Sequence, residues 1–207
     1  MLVKTFGSAV HGIDALTITI EVNISAGINF FLVGLPDNAV KESQQRIDSA
    51  LRQFGHKIPG KKIVINMAPA DIRKEGSAYD LPLAIGIMAA DEQIPNSEVH
   101  KYMIMGELSL DGSLKPIKGV LPIAIRARED GFKGFILPKE NAKEAAVVDK
   151  LEVYGVENIK QVIDFFKGEI ELEQTIIDTR KEFFNSLHES ELDFSDVKGQ
   201  ENVKRAM

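Results

Sequence analysis

The chain has 207 residues, with 25 Lys or Arg against 31 Asp or Glu for a net charge of −6, a 44% hydrophobic content and no Cys. That suits one well-cored domain plus an extension, and it excludes disulfides, thiolate metal sites, thiol nucleophiles and iron–sulfur clusters. No apolar run approaches the roughly 18 residues of a membrane span and the N-terminus has no signal-peptide core, so a cytoplasmic protein without a membrane partner is expected; the acidic balance argues against a generally basic nucleic-acid binder, though not against a local patch.

Leu16-Thr17-Ile18-Thr19-Ile20-Glu21-Val22 alternates with period two and predicts a half-buried strand. Residues 28–33 predict a second strand, ended by Gly34-Leu35-Pro36. Asp37 or Asn38 then caps a helix whose apolar stripe is Ala39, Val40, Ser43, Ile47, Ala50, Leu51 and Phe54, closed by Gly55. Residues 62–67 form a strand that Pro69 stops. Asp80 opens a strongly apolar helix over 81–90 that must be largely buried; Pro82 sits in its first turn, where a missing N–H costs little. Short strands follow at 102–105 and 108–110, with Asp111-Gly112 as a hairpin turn signal. The remaining pattern gives a helix at 117–127, a strand at 134–137, a helix at 141–148, a strand at 151–154 and a helix at 159–166. This is a mixed α/β domain with no internal repeat.

Charge divides the chain. Residues 168–207 carry ten acidic and five basic side chains, whereas residues 1–167 carry 21 and 20. The stretch 168–193 reads as an acidic linker or peripheral helix. In 194–207, Ser195 or Asp196 can cap a helix with Val203 and Met207 four apart. The chain stops there, which suggests the opening of a further domain; a terminal helix is the plainer alternative.

A search for chemistry returns mostly structural readings. The phosphate-cradling pattern G-x-x-x-x-G-K-[ST] has its nearest match at Gly34-Leu35-Pro36-Asp37-Asn38-Ala39-Val40-Lys41, which lacks the second Gly and misplaces the Lys. It reads as a strand-to-helix turn. His11, His56, His100 and His188 are scattered without ligand spacing, so no metal site is expected. Asp91-Glu92 reads as a solvated helix end. Lys61-Lys62 and Arg73-Lys74 are small basic clusters, the second on a loop beside the buried helix. Ser77 ends that loop. It suits a nucleophile with Lys115 or Lys118 as base, or simply a turn or capping residue.

Three longer segments are more specific. They are residues 34–43 (GLPDNAVKES), residues 65–76 (INMAPADIRKEG) followed by Tyr79-Asp80-Leu81-Pro82-Leu83-Ala84, and residues 106–122 (GELSLDGSLKPIKGVLP). In this order they resemble the N-terminal domain of the magnesium-chelatase-subunit-like AAA+ ATPases, the competence protein ComM group. The resemblance covers about residues 1–167. Asp196-Val197-Lys198-Gly199-Gln200 further resembles the entry into the family's AAA+ module.

The resemblance implies a fold similar to ribosomal protein S5 domain 2 and to the Lon proteolytic domain, with helices packed on a mixed sheet. It also makes the Ser–Lys question testable. In the Lon-type register, set by Gly76 or equally by Leu81, the nucleophile position holds Ala78 and Ser77 falls on the preceding Pro. The position of the Lon-type lysine holds Leu121. A methyl group cannot attack a carbonyl and a Leu side chain cannot take a proton. In that register the chain has no catalytic residue, although Lys115 and Lys118 stand near enough for a shifted dyad.

Nor does the chain hold a cofactor of its own: the resemblance places ATP and Mg2+ in an AAA+ module beyond Met207. It implies ring oligomers that act on DNA, in branch migration during uptake and recombination. This chain is then expected to be a non-catalytic domain that supports the ring or guides DNA. Arg73, Lys74, Lys115 and Lys118 are the candidate contacts with DNA or a partner. A shifted Ser–Lys hydrolase and a protein-recruiting adaptor are the alternatives. Magnesium chelatase chemistry ranks lower, since the sequence shows no porphyrin or metal ligands.

Overall fold

The computed structural model describes residues 2–177. In chain order the elements are β1 (Leu2–His11), β2 (Asp14–Ser25), β3 (Phe30–Val33), α1 (Asn38–Lys41), α2 (Ser43–Gln53), β4 (Lys62–Ala68), α3 (Asp80–Ala90), β5 (Tyr102–Ile104), β6 (Glu107–Leu108), β7 (Leu114–Lys115), α4 (Val120–Glu129), β8 (Gly134–Pro138), α5 (Lys139–Ala145), β9 (Glu152–Val156) and α6 (Ile159–Lys167). Seven strands make one mixed sheet in the order β3-β4-β2-β1-β5-β8-β9, and β6 and β7 form a separate hairpin. β1–β2 and β2–β4 are antiparallel; the other pairings in the large sheet are parallel. The expected α/β class with helices on a mixed sheet is what the chain adopts.

Cross-strand partners share a face of the sheet. Val3, Thr5 and Gly7 stand opposite Val22, Ile20 and Ile18 on the face that α3 covers. All eleven residues of α3 are buried, which explains a helix apolar on every side. Gly86 of α3 lies so close to the sheet that an added Cβ would come within 2.8 Å of Val22 Cγ2, and Thr5 Oγ1 donates to the Pro82 carbonyl at 3.0 Å. On the opposite face Phe6 packs on Phe132 with ring centroids 5.1 Å apart. There α4 lays its buried stripe (Val120, Ile123, Ala124 and Ala127) over the β1–β2 hairpin. Beyond β5, the rings of Tyr102, Tyr154, Phe165 and Phe166 cluster where α6 meets β9. β8 has all five residues buried, as a parallel strand with both neighbours and both faces occupied should.

The elements differ from the sequence expectation in three places. β1 is a full strand where no element was expected, and it lies at the centre of the sheet. The single helix expected after Asp37 is two: α1 ends at Lys41 and α2 restarts at Ser43. The helix expected from residue 117 starts at Val120, because Gly119 takes the left-handed conformation (φ 72°) just before it. The compact body runs to Ile176: Leu172 packs against the core and Thr175 N–H donates to the Val153 carbonyl at 2.8 Å. The rest of the expected linker and the expected AAA+ opening at 194–207 lie outside the described residues.

Gly34 ends β3 at φ 100°, and a Cβ there would stand 2.1 Å from the Met67 carbonyl oxygen. Gly34→Ala is therefore expected to lower unfolding stability by about 2 kcal/mol or more through left-handed strain and a clash with a backbone that cannot give way. Gly60→Ala has open space around it and is the neutral control; chemical denaturation of both variants checks the difference.

Candidate functional site

Two aspartates tie the three motif segments into one structure. Asp37 Oδ1 caps α1 by accepting from Val40 N–H at 2.8 Å, while Oδ2 accepts from Gly76 N–H at 3.0 Å. The backbone reinforces that link: Asp37 N–H donates to the Lys74 carbonyl at 2.9 Å, and Lys74 N–H donates to the Leu35 carbonyl at 3.1 Å. Asp80, which has no exposed surface, receives Arg46 Nε on Oδ2 at 2.6 Å and Arg46 Nη2 on Oδ1 at 2.9 Å. Its Oδ2 also accepts from Leu108 N–H at 3.1 Å. Burial pushes the Asp80 carboxyl above its usual range, against the pull of Arg46 and the Leu108 amide. The hydrogen bond to Asp80 raises the Arg46 guanidinium in turn. Gly106 completes the link, donating to the Ala78 carbonyl at 2.8 Å and accepting from Leu81 N–H at 3.0 Å.

These ties shape a cleft of about 840 Å³. One wall is the end of β1, residues 8–11, with Leu16 beside it. The second is the loop 71–78, and the third is residues 116–118 with Ile123 behind them. Leu16, Ile72, Met105, Ile117 and Ile123 make the lining largely apolar, and Asp71, Arg73, Glu75, Glu107 and Lys118 supply the charges. Tyr79 braces the floor, its hydroxyl donating to the Ser8 carbonyl at 3.0 Å; burial holds that phenol well above its usual range.

The sequence-derived residues separate on inspection. Arg73 is exposed in the cleft wall and pairs with Glu75 at 3.2 Å. Lys118 is exposed in the opposite wall. Lys115 is exposed on β7, opposite Glu107 in the hairpin, but does not line the cleft. Lys74 stands apart from the other three candidate contacts. It is fully buried, and its Nζ donates to the Pro69 carbonyl. Desolvation lowers its pKa despite the nearby charge of Asp71. The backbone pairing of Lys74 with Leu35 and Asp37 sets it into the loop, so its ammonium does not reach the surface.

Ser77 and Ala78 both line the cleft. The Ser77 hydroxyl donates to the Glu107 carboxylate and not to a lysine. Leu121 lies at the start of α4, 39% exposed, its N–H on Glu144 Oε1 at 3.2 Å. The look-alike of a phosphate loop at 34–41 does not fit a nucleotide: Asp37 already occupies the start of α1, which has only four residues. Among the described residues no group of three His, Asp or Glu could hold a metal ion, and no helix is long and apolar enough to cross a membrane. His188 lies outside the described residues.

Sequence reading missed the Arg46–Asp80 pair, the Ser77–Glu107 contact and the role of β1. A polar residue inside an apolar stripe, Arg46 next to Ile47, and a carboxylate at the start of an all-apolar helix were the available signals for the first.

Compared with known proteins, residues 20–141 match the family described as subunit ChlI of Mg-chelatase. The competence protein ComM of Haemophilus influenzae is 38% identical over 207 residues, all of this chain and 40% of that protein. The uncharacterized protein YifB of Escherichia coli is 38% identical over 200 residues, 96% of this chain and 38% of that protein. Lon protease 2 of Bacillus subtilis is 33% identical over 125 residues, covering 60% of this chain and 22% of the protease. The chain thus spans about 40% of the length of its ComM-type relatives.

With the Ser77 hydroxyl engaged by a carboxylate, a fluorophosphonate probe is expected to leave Ser77 unmodified in peptide mass mapping. Ser77→Ala is expected to cost about 1–2 kcal/mol in thermal unfolding, because Glu107 loses a donor. Labelling of Ser77 would instead mark it as a nucleophile.

Proposed function

This chain belongs to the magnesium-chelatase ChlI-subunit family, and on that premise we propose that it is the non-catalytic N-terminal domain of a ComM-type AAA+ ATPase. The observation that carries the reading is the whole-chain match to relatives of which it spans only about 40%. The ATPase module, with its ATP and Mg2+, then belongs to the remaining length of the long protein. Ala78 at the Lon-type nucleophile position and Ser77 bonded to Glu107 support a non-catalytic role.

In this reading the domain works in the cytoplasm, supports assembly of the ATPase ring and guides DNA to it. Arg73 and Lys118 on loops and Lys115 on β7 are the exposed cations among the candidates that offer a DNA contact. With the whole chain at −6, any such contact is local and weak, since affinity for DNA rests on phosphate neutralisation.

The test uses the long protein with ATP and branched DNA. Substituting Arg73, Lys115 and Lys118 together by Ala is expected to leave ring formation intact by analytical ultracentrifugation. It is expected to reduce the slope of log K against log salt by about 0.9 for each phosphate no longer neutralised. An unchanged slope would remove DNA guidance from this domain and leave assembly as its role.

A further inference from the structure

The central strand β1 has a free edge inside the cleft. It pairs with β2 along its whole length, from Leu2↔Asn23 to His11↔Asp14. On its other side it pairs with β5 only at Phe6↔Met103, because β5 ends at Ile104. Among the described residues, β1 from Ser8 onward has a strand partner on the β2 side alone.

Ser8 shows which backbone groups face the gap. Its N–H donates to Met105 Sδ at 3.2 Å, and its carbonyl accepts the Tyr79 hydroxyl at 3.0 Å. Side chains thus satisfy the two groups that a neighbouring strand would otherwise hold. Backbone direction repeats every two residues, so the Val10 N–H and carbonyl face the same way as those of Phe6 and Ser8. Val10 lines the cleft, is 41% exposed, and meets no strand there among the described residues. A donor and an acceptor therefore open onto a cleft whose lining includes Leu16, Ile72 and Ile117.

We propose that the cleft binds an extended polypeptide segment, which adds as a strand to the free edge of β1 at Val10, sets an apolar side chain on the floor and places a carboxylate against Lys118. Strand addition demands a ligand that offers a donor and an acceptor in alternation, which a peptide backbone does. The charges favour the same class. Arg73 is already paired with Glu75, while Lys118 is exposed and without an ion pair among the described residues. Asp71, Glu75 and Glu107 outnumber the two cations of the walls, so a phosphodiester chain would meet more carboxylates than ammonium or guanidinium groups. The cleft includes Arg73 and Lys118, two of the cations proposed above to meet DNA, so peptide and DNA compete for these walls.

The probe is a fluorescein-labelled hexapeptide with two leucines at alternate positions followed by an aspartate, titrated into the 207-residue chain. Anisotropy is expected to show saturable binding, and amide hydrogen exchange at Val10 is expected to slow by at least tenfold when peptide is bound. Val10→Pro removes the Val10 N–H that faces the cleft without removing a β1–β2 hydrogen bond, and is expected to weaken binding by about tenfold. Lys118→Glu, a surface change that leaves the fold alone, is expected to weaken it by about fivefold or more. Absence of saturable binding overturns the proposal. So does binding that leaves Val10 exchange unchanged and is indifferent to Lys118→Glu, or displacement of the peptide by an equal concentration of a single-stranded hexanucleotide.

Discussion

Asp80 carries a carboxylate with none of its surface in contact with water. Removing such a group from water costs several kcal/mol unless donors replace its hydration, and here three do: two from Arg46 on α2 and one from the Leu108 amide on β6. Satisfying the carboxylate fixes how α2, the first turn of α3 and the β6–β7 hairpin sit against one another. Arg46 extends the tie to the Ala39 carbonyl at 2.8 Å, which brings α1 into the same arrangement. Asp37 makes the complementary tie between the end of the β3 turn and Gly76. The cleft walls at 71–78 and at Glu107 are thus held by buried polar geometry rather than by packing alone. This is why Ser77 meets Glu107 although they are thirty residues apart in sequence.

The half-exposed strand β2 announces itself in the sequence, and β1 does not. The alternation of residues 16–22 was legible because the α3 face of β2 is buried while Thr17, Thr19 and Glu21 are only partly covered. β1 escaped notice because Thr5 and Gly7 point to one layer and Phe6 and Ser8 to the other, and small residues in its covered middle erase the period. α3 was legible for the opposite reason: eleven buried residues in an unbroken run exceed the length of a typical strand. The break between α1 and α2 left no mark, since the apolar stripe continues across it.

The candidate site was legible in the same uneven way. Ser77 and Arg73 were placed by their position beside a recognisable buried helix, and both line the cleft. Arg73 and Lys74 look alike in sequence, yet one is exposed and the other fully enclosed. Backbone pairing with Leu35 and Asp37, invisible in the local sequence, decides between them. The similarity to Lon protease 2 covers 60% of the chain. Ala78 sits in the cleft, a carboxylate holds the neighbouring hydroxyl, and the segment nearest to a phosphate loop is consumed in capping α1. What the cleft offers is an apolar floor, mixed charges and an unpaired strand edge, which are properties suited to binding.

The most direct test of this account is amide hydrogen exchange on Asp80→Asn. The substitution keeps the shape of the side chain but leaves the Arg46 charge, only 19% exposed, with the exposed Glu42 carboxylate at 3.9 Å in place of its buried counter-ion. The account predicts a loss of about 3 kcal/mol in stability, with exchange accelerated first at Leu108, Gly106 and Gly76 while β8 and β9 keep their protection. Stability within about 0.5 kcal/mol of the parent chain, with Leu108 exchange unchanged, would show that packing alone positions the cleft walls and would contradict the account.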